Sequence, residues 1–165
     1  MGSQGLTKPG EPESALPAPP ERLACGEVSL RFVRVEPADP VRGLSPYYHF
    51  RILAGGAEVG HINFRVGHTP HLQFCAGHVG FQIAHAFRGH RYAWQACQAL
   101  APFVRAICPT VIITCDPDNL PSRKTIERLG AAFIDEIPVP PAALIEGQGP
   151  LRKRRYEWTP ADPPA

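Results

Sequence analysis

Between Val79 and Ala93 the sequence VGFQIAHAFRGHRYA runs from an apolar, strand-like segment through Arg88-Gly89 into the start of a helix. A helix start presents backbone N–H groups with no intrahelical partner together with the positive end of the helix dipole, so it can cradle a phosphate or pyrophosphate. Arg88 and Arg91 add charge and forked donors. A second segment, Ile113 to Phe133, has the same strand, turn and helix order, with Asn119 as N-cap, Pro121 just inside the helix and Gly130 just past its end. Other reactive residue types are less well arranged. His61, His68, His71 and His78 form no i, i+4 helical pair and lack a nearby carboxylate set, so no metal is expected. Cys115 beside Asp116 reads as inert packing at the end of a buried strand.

These segments need a scaffold. Glu27 to Val35 alternates apolar and polar residues as a strand does, and Tyr47 to Leu53 and Val59 to Val66 flank the turn Ala54-Gly55-Gly56-Ala57, which predicts a β-hairpin. Glu36 to Pro46 carries three prolines and cannot form a long helix. Gly67 to Gly77 reads as a polar loop, and Val79 to Ala84 as a further buried strand. Ala93, Ala96, Cys97, Leu100, Val104 and Ile107 recur at helical spacing, predicting a helix over about Arg91 to Ile107 with a kink at Pro102. Thr110 to Cys115 is an apolar, β-branched run expected at the centre of a sheet and covered on both faces. Phe133 to Val139 and Arg152 to Trp158 complete a mixed α/β or α+β domain. Within the last strand, Arg152-Lys153-Arg154-Arg155-Tyr156 alternates and reads as a solvated face rather than a grip on RNA or DNA.

With 44% hydrophobic and 19% charged residues in 165, the chain can bury one sizeable core and is expected to form a single domain. Twenty prolines are concentrated at the ends, five in the first twenty residues and three in the last six, so Met1 to Arg22 is expected to be a disordered arm and residues 160–165 a tail. The domain would span residues 23–159. Seventeen basic residues against fifteen acidic ones give a net charge of +2, too little excess for a dedicated nucleic-acid binder. Five cysteines without a CxxC pair argue for reduced thiols. No run is long and apolar enough to span a membrane, the N-terminus has no secretory pattern, and Leu6 departs from the myristoylation motif, so a cytoplasmic location is expected. No G-x-S-x-G elbow or G-x-G-x-x-G run points to a hydrolase or dehydrogenase.

The two turn-to-helix segments resemble the GNAT N-acetyltransferase superfamily. Arg88-Gly89-His90-Arg91-Tyr92-Ala93 is similar to its Gln/Arg-x-x-Gly-x-Gly/Ala turn, with Arg91 where the family has Gly, and Asn119, Ser122, Glu127 and Gly130 match its strand, Asn, helix, Gly pattern. The resemblance covers about Tyr47 to Trp158 and looks closest to an uncharacterised bacterial group with an RG-x-x-YA turn. It implies a mostly antiparallel sheet with a V-shaped splay between two parallel central strands, flanked by helices. Acetyl-CoA would bind in the splay, with its pyrophosphate on Arg88 to Ala93 and its pantetheine amides on the Ile83 and Ala84 backbone. Val111 to Cys115 would form the opposite wall, with Asn119 and Ser122 beside the cofactor. Arg91 is expected to take an ordinary helical φ and to reach toward phosphate.

The reaction the resemblance implies is direct attack of a primary amine on the thioester in a ternary complex, without a metal. His78 is the leading general base, with Glu58 and His61 as alternatives and His85 poorly placed. Many relatives carry a Tyr acid seven residues after the Asn; this chain has Ile126 there, and Ser122 is the substitute. Glu36 to Pro46 is too short for the two helices that wall the acceptor site in relatives. The acceptor is therefore a small-molecule, peptide or protein amine, met in an open groove or in a site completed by a second subunit of a homodimer. Tyr47, Tyr48, His49 and the His68 to His71 loop are the places for acceptor contacts. The rival reading is a non-catalytic acyl-CoA-binding or regulatory module.

Overall fold

The computed structural model describes residues 16–161. Five antiparallel strands follow one another in chain order: β1 (Leu23–Cys25), β2 (Val28–Glu36), β3 (Tyr47–Ala54), β4 (Ala57–Arg65) and β5 (Val79–Ile83). A second antiparallel sheet has the order β6 (Val111–Cys115), β8 (Arg152–Trp158), β7 (Ala132–Pro138). Helix α1 (Tyr92–Ile107) connects β5 to β6, and α2 (Leu120–Arg128) connects β6 to β7. This is the mixed, mostly antiparallel α/β architecture expected from the sequence.

Alternation determines which face of the first sheet meets the helix. Tyr48, Phe50, Ile52 and Ala54 on β3 are buried, as are Val59, Ile62 and Phe64 on β4, where a register shift between Ile52 and Leu53 reconciles the uneven spacing. Against them α1 lays Ala96, Cys97, Leu100, Phe103 and Val104, all buried. Phe103 meets Tyr48 edge-on at 4.9 Å between ring centroids and Phe64 at 6.0 Å. The helix passes through Pro102 without interruption. Burial of each such side chain contributes about 1.5–3 kcal/mol.

The two sheets meet at one point. The His78 N–H donates to the Ile112 carbonyl at 2.7 Å, and the Ile112 N–H donates to His78 Nδ1 at 2.9 Å. Beyond that junction no ladder joins β5 to β6 among the described residues. Gly67 to Gly77, expected as plain loop, contains one wide helical turn (Leu72–Ala76) closed by the Gly77 N–H on the Leu72 carbonyl. Thr114 Oγ1 donates to the Cys75 carbonyl at 2.7 Å, so this turn braces the junction.

Several expectations need correction. β5 is not a buried strand: only Val79 is buried, and Gln82 is exposed, because its far half borders the gap between the sheets. β6 is an edge strand of its sheet, with Val111, Ile113 and Cys115 buried but Ile112 and Thr114 only half-buried. Ordered structure also extends outside residues 23–159. Leu16 packs on the core, the Tyr48 hydroxyl donates to the Pro17 carbonyl at 2.6 Å, and Pro160 is buried. Isolated apolar residues in proline-rich sequence show no period, and only the folded sheet gives them a partner. The rest of the expected arm and tail, residues 1–15 and 162–165, lies outside the described residues.

Arg152 to Arg155 is not a solvated face either. Arg152 and Arg154 pair with Glu136, Lys153 with Asp116 and Arg155 with Asp135. Those hydrogen bonds hold the Glu136 and Asp135 carboxyls below their usual range. Arg154 also stacks over Phe133 at 4.3 Å.

Candidate active site

Beside the far half of β5 lies a cleft of about 670 Å³ lined by Phe81, Gln82 and Ile83 from β5, by Phe87, Arg88, Gly89, Arg91, Tyr92 and Ala93 at the start of α1, and by Asn119, Leu120, Pro121, Ser122, Lys124 and Thr125 of α2 and its cap; no residue of β6 lines it. Two helix N-termini therefore face one cleft, and their hydrogen bonding distinguishes them. On α2 every early donor is used: the Leu120 N–H donates to the Asp118 carbonyl, Pro121 has none, and the Ser122 N–H donates to Asn119 Oδ1 at 3.2 Å. On α1 the N-cap Arg91 makes no side-chain cap, and among the described residues the Tyr92, Ala93 and Trp94 N–H groups have no hydrogen-bond partner. Of the two, α1 is therefore the N-terminus with donors to offer an anion, and Arg88, Arg91 and Lys124, the last not singled out from sequence, line the same cleft.

The turn into α1 keeps a glycine-like shape. Gly89 has φ 91°, and Arg91 has φ 61° and ψ 26°, the one described non-glycine residue with positive φ. Arg91 therefore does not adopt the ordinary helical φ expected of it. The turn geometry is imposed by the strand-to-helix connection, and the side chain accepts a conformation that costs about 1–2 kcal/mol. It still lines the cleft. His90 does not; its ring stacks on Tyr92 at 5.2 Å, and its carbonyl accepts from Gln95 Nε2, so it braces a residue that does.

Backbone geometry decides which β5 groups can meet an extended ligand. The Gln82 carbonyl points at Gly60, where a Cβ would lie 2.1 Å from it, so only glycine permits this approach of β4 to β5. The Ala84 N–H donates to the Val59 carbonyl at 2.8 Å, also toward β4, and the Ala84 carbonyl accepts from Phe87. Because successive peptide groups in a strand face opposite edges, Phe81 and Ile83 face the gap. Of the two backbone candidates Ile83 faces the gap, its carbonyl already accepting from Arg88 Nε at 3.2 Å. Ala84 does not face it, whereas Phe81 does. A spacing of two, read from strand geometry alone, would have found the pair. Helical spacing of Pro121, Lys124 and Thr125 would likewise have found the α2 wall.

A second cleft of about 290 Å³ adjoins the first through Gln82 and is lined by Arg51, Glu58, Val59, Gly60, His61 and Ala84. Two of the three base candidates meet here. The Glu58 carboxylate is held between Arg31 and Arg51, each at 3.3 Å. His61 lies opposite Gln82 in the strand register, and burial, reinforced by His49, Arg51 and Arg65, pushes its pKa down. His78 lines neither cleft. It is buried, its Nδ1 lone pair is taken by the Ile112 N–H, and burial lowers its pKa. His85 lies in a short exposed turn outside both clefts.

The remaining sequence candidates separate by strand parity. Tyr48 belongs to the core and cannot meet an acceptor, whereas Tyr47 and His49 share the opposite face of the sheet. His71 is tied by Nδ1 to the Ala143 carbonyl at 2.8 Å. Burial raises the pKa of the Cys115 thiol, which suits packing rather than nucleophilic attack. Ile126 is buried in the core, while Ser122 lines the large cleft. Glu127 accepts from the Tyr156 hydroxyl at 3.3 Å and so ties α2 to β8. Among the described residues no group of three or more His, Cys, Asp or Glu side chains could hold a metal ion, and no helix is long and apolar enough to cross a membrane.

Comparison with known proteins accords with this geometry. Residues 22–132 match the family described as acetyltransferase (GNAT) domain. No curated protein matches the chain. Solved structures with a similar fold include RimL, the ribosomal L7/L12 alpha-N-protein acetyltransferase in complex with coenzyme A (18% identity, TM-score 0.53, 68% of this chain and 62% of that one). Another is the microcin C7 self-immunity acetyltransferase MccE in complex with acetyl-CoA and AMP (16%, 0.55, 68% and 61%). A third is a GNAT-family acetyltransferase from Bacillus anthracis (22%, 0.53, 67% and 65%). The chain spans less than two thirds of the length of each of these three structures. With the family match covering well over half of its residues, the chain belongs to the GNAT acetyltransferases.

Proposed function

We propose that the protein transfers an acetyl group from acetyl-CoA to a primary amine by direct attack in a ternary complex. The observation that carries this reading is a pair of clefts that share Gln82 in their walls: a large one with α1 N–H groups that lack a partner among the described residues and with β5 peptide groups turned toward it, and a small one with a neutral base. The large cleft fits the CoA moiety. The Tyr92, Ala93 and Trp94 N–H groups with Arg88, Arg91 and Lys124 hold the pyrophosphate. Phe81 and Ile83 pair with the pantetheine amides, and Phe87 supplies an apolar wall. MccE and RimL, which share the fold, were solved with acetyl-CoA and coenzyme A respectively.

The amine enters from the smaller cleft. His61 takes its proton: with a pKa below the ordinary histidine value it is neutral at physiological pH and has a free lone pair. Glu58, engaged by two guanidiniums, orients Arg51 and Arg31 rather than acting as the base. His78 holds the two sheets together. Ser122 Oγ, at the first turn of α2, donates its proton to the leaving thiolate and takes one back from solvent. RimL, a protein N-terminal acetyltransferase by description, makes a protein amine a natural acceptor class.

A second reading, a non-catalytic acyl-CoA-binding module, draws on the buried Ile126 where many relatives carry a Tyr acid. Release of free thiol from acetyl-CoA in the presence of an amine panel decides between them. The transferase reading expects turnover that falls at least about tenfold in His61→Gln and in Ser122→Ala; acetyl-CoA binding without turnover on any amine would favour the module.

A further inference from the structure

The face of the first sheet that α1 does not cover is a polar surface laid out in rows. Register aligns Arg31, Arg51, His61 and Gln82 across β2, β3, β4 and β5. The next row is Arg34, His49, Asn63 and Gly80, and the last is Glu36, Tyr47 and Arg65. Contacts place these side chains together. His49 Nδ1 donates to Asn63 Oδ1 at 2.6 Å, His49 and His61 rings lie 5.6 Å apart, and Arg65 sits over the Tyr47 ring at 5.9 Å.

Charge on this face is one-sided. Among the described residues, Arg31, Arg34, Arg51 and Arg65 face two carboxylates, Glu36 and Glu58. Glu58 is shared by Arg31 and Arg51, Glu36 is taken by Arg34, and Arg65 donates to the Ala76 and Gly77 carbonyls and meets no carboxylate among the described residues. Most of the forked donors of Arg31 and Arg51 remain unused, and their side chains are 59% and 38% exposed. The cationic row leads outward from the small cleft.

We infer that this face docks an extended acidic polypeptide whose N-terminal amine is the acceptor at His61, with the carboxylates of its first residues on Arg51 and Arg31. The inference rests on the transferase reading above. Strands lie about 4.8 Å apart, so Arg51 and Arg31 stand about 5 and about 10 Å from the His61 position, and an extended peptide advances about 3.3 Å per residue. Acidic side chains at the second to fourth positions therefore reach them. A free amino acid spans too little of the row to use Arg31 or Arg34. A peptide with basic residues there would face like charge.

The test is thiol release from acetyl-CoA with three tetrapeptides that share an N-terminal serine, carrying acidic, neutral or basic residues at positions two to four, and with free serine. The inference expects kcat/KM for the acidic peptide to exceed that for the basic one by at least about tenfold, with the preference shrinking as ionic strength rises from about 0.05 to about 0.3 M. In Arg31→Glu/Arg34→Glu, where both side chains are more than half exposed, the preference collapses, mainly through KM. The thermal shift given by acetyl-CoA in that variant confirms folding. Equal turnover of the three peptides, free serine as the best acceptor, or a preference unchanged in the variant would each overturn the inference while leaving the transferase intact. An absence of any acetyl-CoA shift in the wild type would overturn both.

Discussion

Arg91 lines the cleft with a backbone that costs the fold stability, and the proposed phosphate contact would account for an arginine there. Its left-handed backbone is the geometry glycine adopts without cost, so Arg91→Gly is expected to raise the stability of the ligand-free protein by about 1 kcal/mol while weakening CoA binding, seen as a higher Tm with a smaller CoA-induced shift. Arg88→Glu removes a donor to the same anion without touching the core; titration is expected to show CoA affinity down by about tenfold or more with unfolding little changed. His61 is the residue whose role a pH profile reports. Because burial and nearby cations lower its pKa, the acid limb of kcat/KM is expected below the ordinary histidine value near 6.5, and His61→Gln should abolish that limb. That Arg88, Gly89 and Tyr92 stand at a turn into a helix and that Asn119 caps the next helix was legible in sequence, since a Gly turn before a helix and an Asn-x-x-Ser cap are local signals. The Arg31–Glu58–Arg51 bridge was not. Its members meet only through the register of three strands.

At the scale of elements, β5 carries the largest difference between sequence and structure. Val79 to Ala84 reads as a buried strand, yet no ladder pairs β5 with β6 beyond His78 among the described residues, and the edge so left open is the one proposed to meet the ligand. Periodicity reports which face of a strand is covered and is silent about which edge is paired; for the same reason it does not reveal that Ala84 faces β4 while Phe81 faces the gap. Parity within β3, in contrast, could have excluded Tyr48 as an acceptor contact, since Tyr47 and Tyr48 face opposite ways. The junction itself makes a prediction. His78 accepts from the Ile112 N–H through a lone pair that protonation would remove, and its folded pKa lies below the unfolded one, so its contribution is present above about pH 6.5 and is lost as pH falls toward the folded value. Melting temperature should decline between about pH 7.5 and 5.5, and less so in His78→Gln. The β7–β8 ladder acts in a lower window: Asp135 and Glu136 have depressed folded pKa values, so their stabilisation holds above the ordinary carboxylate range and fades as acid protonates them.

For the whole molecule, a five-stranded sheet packed on α1 and a three-stranded sheet carrying α2 are joined at His78 and Ile112, and the wedge between them holds one cleft opening toward two helix N-termini. Packing holds the wedge: truncating Phe103→Ala, at the centre of contacts with Tyr48, Phe50 and Phe64, is expected to cost about 3–5 kcal/mol in chemical denaturation. The fold class and the order of its elements followed from apolar periodicity and turn residues. The wedge followed only from the family resemblance, because an unpaired edge leaves no pattern in composition. The central claim is that the wedge binds an acyl-CoA, and it is tested most directly by thermal unfolding with acetyl-CoA, with CoA and with ATP. A ligand at 100 times its dissociation constant stabilises the folded state by about 2.7 kcal/mol. The account predicts a clear upward shift in Tm with acetyl-CoA and CoA and none with ATP. No shift at millimolar acetyl-CoA, or an equal one with ATP, would contradict it.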